Sequence, residues 1–165
     1  MMDAVSKHFE HYPSRLAVAE LMLKHGISVK NDDAYIGDVK QSDSSIARAA
    51  NVDRRVVRST IEDISTDPVL SALFSKLDSM VVLADAASLL GCSAIEVVPD
   101  DARRPGVMAG IMNVLSRAGI NIRQAVVTGE ENEVSHLIIT VDGDIPGYVM
   151  TEIRGSPGVA SVIIR

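Results

Sequence analysis

Two stretches of this sequence carry residue types at spacings that can do chemistry. The first runs from Arg48 to Arg58. It holds four arginines, Arg48, Arg54, Arg55 and Arg58, against one acid, Asp53. Clustered guanidinium groups suit phosphate oxygens and guanine edges. Ser44 and Ser45, just upstream, add hydroxyl groups that can lie near phosphates. The second stretch is Asp100-Asp101-Ala102-Arg103-Arg104-Pro105-Gly106-Val107-Met108, followed one helix later by Gly119-Ile120-Asn121-Ile122. Gly106 lets a ligand approach the backbone N–H groups of a helix N-terminus, which favours a carboxylate. Asn121 offers both a donor and an acceptor.

Composition limits what else the chain can do. Of 165 residues, 47% are hydrophobic and 23% charged, enough for a packed core. The longest apolar runs are a few residues, such as Val81 to Ala84. A membrane span needs roughly 20. The start, Met1-Met2-Asp3-Ala4, lacks a basic segment followed by an apolar stretch, so a cytoplasmic location is expected. Cys92 stands alone and offers neither an internal disulfide nor a metal site. Aromatics are 3%, too few for base-stacking platforms. Net charge is −6, and residues 1–91 and 92–165 carry −3 each, so a nucleic-acid role must come from a local patch. There is no nucleophile–base–orienter set, phosphate-binding Gly loop or metal spacing, so neither enzyme activity nor a cofactor is expected. His8 and His11, at i, i+3 spacing, read as surface histidines. His25 reads as a helix C-terminal partner, His136 as a packed strand residue and Cys92 as a buried thiol.

The elements that position these residues differ between the halves. Residues 1–91 read as helical. Pro13 opens a helix that stops at Lys24-His25-Gly26 and whose apolar residues cover most of its circumference. Asn31-Asp32-Asp33 marks a short hairpin between Ile27 and Lys40. Ser42 to Ser45 supply cap oxygens for a helix over 44–50, and Asp53 caps a second from Arg54 to about Ile64. Thr66-Asp67-Pro68 opens a third, with Val69, Leu70, Leu73, Phe74 and Leu77 along one face. A further helix spans about 81–90. Residues 92–165 read β-α-β-β-α-β, with strands at 94–98, 120–128, 134–141 and 159–164, helices at 106–118 and 146–154, and a polar loop at 129–133. That is the split βαβ order of a ferredoxin-like fold. It leaves one sheet face bare and two edges open, which calls for a homodimer or higher homo-oligomer.

The segment from Ile46 to Arg58 resembles the helix-turn-helix of small prokaryotic transcription factors. Ala50 allows close helix approach, Asn51 suits the left-handed turn position, and Val52 and Val56 can pack between the helices. Arg54, Arg55 and Arg58 fall in the first turns of the second helix, the part that enters the major groove. Residues 93–165 resemble the ACT domain, a ligand-binding module of amino-acid metabolism. The resemblance implies a small amino acid bound by Arg103, Arg104, Pro105, Gly106, Val107 and Met108 together with Asn121, Ile122 and Gln124. Arg103 stands where serine-binding relatives often place a polar amide, so the resemblance does not fix the ligand. As a whole the chain resembles small archaeal and bacterial proteins described as predicted regulators of amino-acid metabolism.

The expected fold class is α+β, with a helical helix-turn-helix domain over 1–91, carrying a short hairpin, and a ferredoxin-like ACT domain over 92–165. The expected function is an amino-acid-responsive transcriptional regulator that binds DNA through Ser44, Ser45, Arg54, Arg55 and Arg58. The alternative is a regulatory subunit of a biosynthetic enzyme that binds no DNA.

Overall fold

The computed structural model describes residues 2–129 and 135–165. Two units are present, 1–80 and 81–165. The first holds α1 (Met2–His8), α2 (Pro13–Lys24), β1 (Ser28–Lys30), β2 (Asp33–Ile36), β3 (Val39–Gln41), α3 (Asp43–Ala50), α4 (Arg54–Thr66) and α5 (Pro68–Phe74). The local chemistry of each boundary follows from its residues. Asn31 and Asp32 both take left-handed conformations, φ 51° and 61°, as a two-residue hairpin turn requires. Ser42 Oγ accepts from the Ser45 N–H at 3.1 Å and starts α3. Asn51, at φ 53°, ends it. Asp53 accepts from the Arg55 N–H and caps α4. Asp67 accepts from the Val69 and Leu70 N–H groups, both at 2.9 Å, and caps α5.

Phe9, Met22, Ile46, Val57, Ile61, Ile64, Leu70 and Phe74 form the core of this unit. Four expectations change. A helix, α1, precedes α2 and seals Val5 and Phe9 into the core. His8 ends that helix and His11 lies in the turn after it, so the two do not share a helical face. The expected single hairpin is a three-stranded antiparallel sheet, because Val39–Gln41 returns along Ala34–Ile36. Val69 points to solvent, while Leu70 and Phe74 carry the buried face of α5.

The second unit holds a 3-10 helix (Ala84–Leu90), β4 (Cys92–Pro99), α6 (Val107–Arg117), β5 (Ile122–Thr128), β6 (His136–Asp142), α7 (Gly147–Arg154) and β7 (Val159–Ile164). The sheet order is β5-β6-β4-β7, with every neighbour antiparallel. That is the order a ferredoxin-like β-α-β-β-α-β chain requires. Period-two alternation sends Ile95, Val97, Leu137, Ile139 and Val141 to one face, where Ile111, Leu115, Val149 and Ile153 of α6 and α7 cover them. The expected strand start at residue 134 and the expected loop over 130–133 lie outside the described residues.

The boundary at 80/81 differs from the expected 91/92, and the reason is packing. The segment 81–91 reads from sequence as a continuation of the helical half. Instead, Ala84 and Ala87 of its 3-10 helix pack on Cys92, Ala94 and Ile138. These residues belong to the sheet face opposite α6 and α7, so that face is partly covered from within the chain rather than bare.

Candidate functional site

The β4–α6 loop is tied down before α6 begins. Asp101 Oδ1 accepts from the Arg103 N–H, and Asp100 Oδ1 accepts from the Asp101 N–H. The Arg104 guanidinium stands 3.5 Å from the Asp100 carboxylate. The Asp100 N–H donates to the Gly158 carbonyl at 3.0 Å, which fixes the loop to the α7–β7 turn. Gly158 is left-handed (φ 89°), and a Cβ there would stand 2.6 Å from Val107 Cγ2. Close approach of the Val107 side chain to the Gly158 backbone therefore ties the start of α6 to this turn. Gly106 precedes α6 at φ 92° and ψ −11°, and no side chain caps the helix. A Cβ on Gly106 would meet nothing within 4 Å. The first N–H groups of α6 therefore lack a side-chain acceptor.

Beside them lies a cleft of about 150 Å³ lined mainly by Val97, Val107, Met108, Ile111, Val127 and Leu137. Arg104, Gly106, Ser135 and His136 are also at its wall. Of the expected ligand residues, Arg104, Gly106, Val107 and Met108 meet here. Arg103 and Pro105 are exposed and outside the lining. Sequence reading missed Val127, Leu137 and His136. Only the strand pairing brings them beside the loop.

The other expected group does not join this cleft within one chain. β4 and β5 both run antiparallel to β6, so Val97 and Val127 lie at one end of the sheet and Asn121–Gln124 at the other. Six residue steps of strand separate Ile122 from Thr128, roughly 20 Å. At that far end Asn121 Nδ2 donates to Asp142 Oδ2 at 2.5 Å, and Arg123 Nε donates to Asp142 Oδ1 at 2.8 Å. The hydrogen bonds from Asn121 and then Arg123 hold the Asp142 carboxyl below its ordinary value. Asp142 was not among the sequence candidates. Gln124 is already engaged on both sides of its amide. Nε2 donates to the Val81 carbonyl at 2.7 Å, and Oε1 accepts from the Leu83 N–H at 2.9 Å. Ile122 packs on the core rather than facing a ligand.

On the outer sheet face, Glu96 is 4% exposed. His136 Nδ1 hydrogen-bonds its Oε1, and Arg165 donates from Nε to Oε2 at 2.8 Å. Burial pushes the Glu96 carboxyl up, but the hydrogen bonds from His136 and Arg165 outweigh it and hold the group below its ordinary value. His136 is therefore a packed strand residue with a carboxylate partner, as its setting in sequence indicated.

In the first unit, Arg54 and Arg55 are exposed in the first turn of α4, and Ser44 and Ser45 are exposed in α3. Arg58 differs. Its Nη1 donates to the Asp32 carbonyl at 2.9 Å and its Nε to Glu62 at 3.2 Å, with Asp33 at 3.9 Å. It braces the β1–β2 turn against α4. Ser45 shares a 2.8 Å hydrogen bond with Ser42 inside the cap. Among the described residues no group of three or more His, Cys, Asp and Glu side chains gathers to hold a metal. Among the described residues no helix is long and apolar enough to cross a membrane.

Residues 101–161 match the family model described as the AHAS small subunit-like ACT domain. A search of curated proteins finds no match. Among solved structures, the chain is similar to the ACT domain of the GTP pyrophosphokinase of Chlorobium tepidum, at 21% identity and TM-score 0.37, over 45% of this chain and 96% of that one. It is also similar to the regulatory subunit of aspartate kinase from Thermus thermophilus, at 20% identity and TM-score 0.36, over 46% of this chain and 51% of that one. At these scores neither adds to the assignment. The family match takes in most of the loop and the helix that build the cleft and covers residues 101–161, under half of the chain.

Proposed function

We propose that this protein is an amino-acid-responsive regulator whose ACT domain takes a small apolar amino acid. The observation that carries the reading is the cleft at the start of α6. Uncapped N–H groups behind Gly106 suit an α-carboxylate, and the apolar walls of Val97, Val107, Met108, Ile111 and Val127 suit an aliphatic side chain. The cleft's 150 Å³ is small beside the roughly 300–1,000 Å³ usual for ligand pockets, so one chain supplies only part of a site. A second copy, related by a two-fold axis, would bring its Asn121 and Asp142 to the ligand's polar end. A thermal-shift panel of the twenty amino acids on the full chain tests this. Apolar members should raise the melting temperature, and a flat panel would remove the reading.

We further infer that the first unit passes the response to DNA. Arg54 and Arg55 are exposed at the start of α4, and the α3–turn–α4 pair carries the left-handed Asn51 and the Asp53 cap that a helix-turn-helix uses. Selection of duplexes from a random pool should enrich a pseudo-palindrome with half-sites about 34–36 Å apart or a multiple of that. The second reading, a regulatory subunit that binds no DNA, is favoured by the small-subunit description of the matched family and by the engagement of Arg58 within its own chain. Failure of the selection, with co-purification of a larger enzyme, would make it the better account.

A further inference from the structure

A bulge decides where Gln124 points. Ile122 pairs with Val141, yet Gln124 pairs with Thr140, so two steps along β5 face one step along β6. The extra residue is Arg123. Without it, Gln124 would share the helix-covered face with Ile122. With it, Gln124 turns to the outer face. Bulges of this kind re-aim side chains, and they recur beside functional sites.

What Gln124 meets there is the segment 81–83, which has no secondary structure. Its amide pairs with the Val81 carbonyl and the Leu83 N–H, imitating one rung of a strand ladder. Among the described residues these are the two hydrogen bonds that hold 81–83 to the sheet. Apolar burial adds little at Val81 and Val82, which are 73% and 44% exposed, while Leu83 is half-buried. Segments held by few buried contacts open at low free energy. The bulge itself is pinned by one residue. The Asp142 carboxylate receives both Asn121 and Arg123, and the Asp142 N–H donates to the Asn121 carbonyl at 3.0 Å.

We propose that the Arg123 bulge and Gln124 form a latch on residues 81–83, kept closed by Asp142 and opened when the ammonium group of an amino-acid effector takes the Asp142 carboxylate from Asn121 and Arg123. The proposal rests on the amino-acid reading above for its effector, and on geometry alone for the latch. It gives the ACT domain a direct handle on the segment that follows residue 80, the end of the first unit. Asp142 and Gln124 are positioning residues here. Asp142 sets the bulge, and Gln124 carries its state to the backbone of Val81 and Leu83.

Residue-resolved amide exchange on the full chain tests both parts. In Gln124→Met, which keeps the length and loses the amide, the Leu83 amide should exchange about three- to tenfold faster. Gln124→Glu keeps an acceptor for the Leu83 N–H and should raise exchange less. Equal exchange in the parent and Gln124→Met, or equal effects of Met and Glu, would overturn the latch. Asp142→Asn removes the charge that gathers Asn121 and Arg123, and should move Leu83 exchange toward that of Gln124→Met. No change there would overturn the role of Asp142. L-Valine and L-leucine should speed Leu83 exchange in the parent and have little further effect in Asp142→Asn. Their binding is read separately by thermal shift. Binding without faster exchange overturns the effector step and leaves the amino-acid reading standing. No binding by either overturns the effector step and that reading together, while the Gln124 comparison still decides the latch.

Discussion

Replacing Gly158 with Ala tests how the cleft is built. The residue sits at φ 89°, a conformation that costs an L-residue with a side chain about 1–2 kcal/mol. Its new Cβ would also stand 2.6 Å from Val107 Cγ2, against roughly 3.5–4.0 Å for comfortable carbon contacts. Val107 is stiff at χ1 and opens α6, so relief requires the helix start or the α7–β7 turn to shift by about 1 Å. Overpacking of this size costs about 1–3 kcal/mol. The total is about 2–5 kcal/mol. Gly106→Ala is the control. It carries the same kind of backbone strain at φ 92° but meets nothing within 4 Å, so it should cost only about 1–2 kcal/mol. Calorimetry on the full chain, resolving the unfolding of the ACT domain, reads the difference. The double variant Gly158→Ala/Val107→Ala removes the clashing methyl and should recover about 1–2 kcal/mol relative to additivity. If Gly158→Ala costs no more than Gly106→Ala, or if the double variant is additive, the close approach at Val107 does not set the loop.

Glu96→Gln should destabilise the fold by about 1–3 kcal/mol at neutral pH, because a buried acceptor of two charged or hydrogen-bonding partners is weakened. The Glu96 carboxyl is depressed in the folded state, so the parent's advantage is present above the ordinary carboxylate value and fades as pH falls through the folded one; denaturation of both forms across acid pH checks it. Arg58→Ala should weaken the first unit by about 1 kcal/mol through loss of its bond to the Asp32 carbonyl, measured by urea unfolding. Arg54→Ala and Arg55→Ala should leave stability unchanged and each lower the salt slope of DNA binding by about one unit if it holds a phosphate, measured by titration against salt. Asp67→Ala should cost about 1 kcal/mol, since one carboxylate caps both the Val69 and Leu70 N–H groups, and Asp67→Asn should recover most of it.

Much of this architecture was legible because it rests on local chemistry. Asn51 at a left-handed turn, Asp53 and Asp67 as caps, and Pro13 and Pro68 at helix starts are read from one or two residues. The β-branched run in 94–98 likewise announces a strand, though not which face is covered, since 94–97 are all buried. What escaped reading depends on partners distant in sequence. The Arg123 bulge is invisible in 120–128, since β6 alone shows that two residues face one. The segment 81–91 carries helical spacing, and only Cys92, Ala94 and Ile138 reveal that its alanines belong on the sheet. The expected ligand set joined Gly106 to Asn121 because both stand in motifs of the ACT resemblance. Strand direction puts them at opposite ends of one chain.

The central claim is that the start of α6 receives a carboxylate with an apolar side chain beside it. Calorimetric titration of the full chain with L-leucine and with L-leucinamide tests it most directly, because the two differ at the carboxylate alone. Leucine should bind and stabilise the protein, by roughly 2.7 kcal/mol at 100 times its dissociation constant. Leucinamide should bind far more weakly, and Gly106→Ala, strained at φ 92° where α6 begins, should bind leucine less well. Equal affinity for leucine and leucinamide, or undiminished leucine binding in Gly106→Ala, would contradict the account.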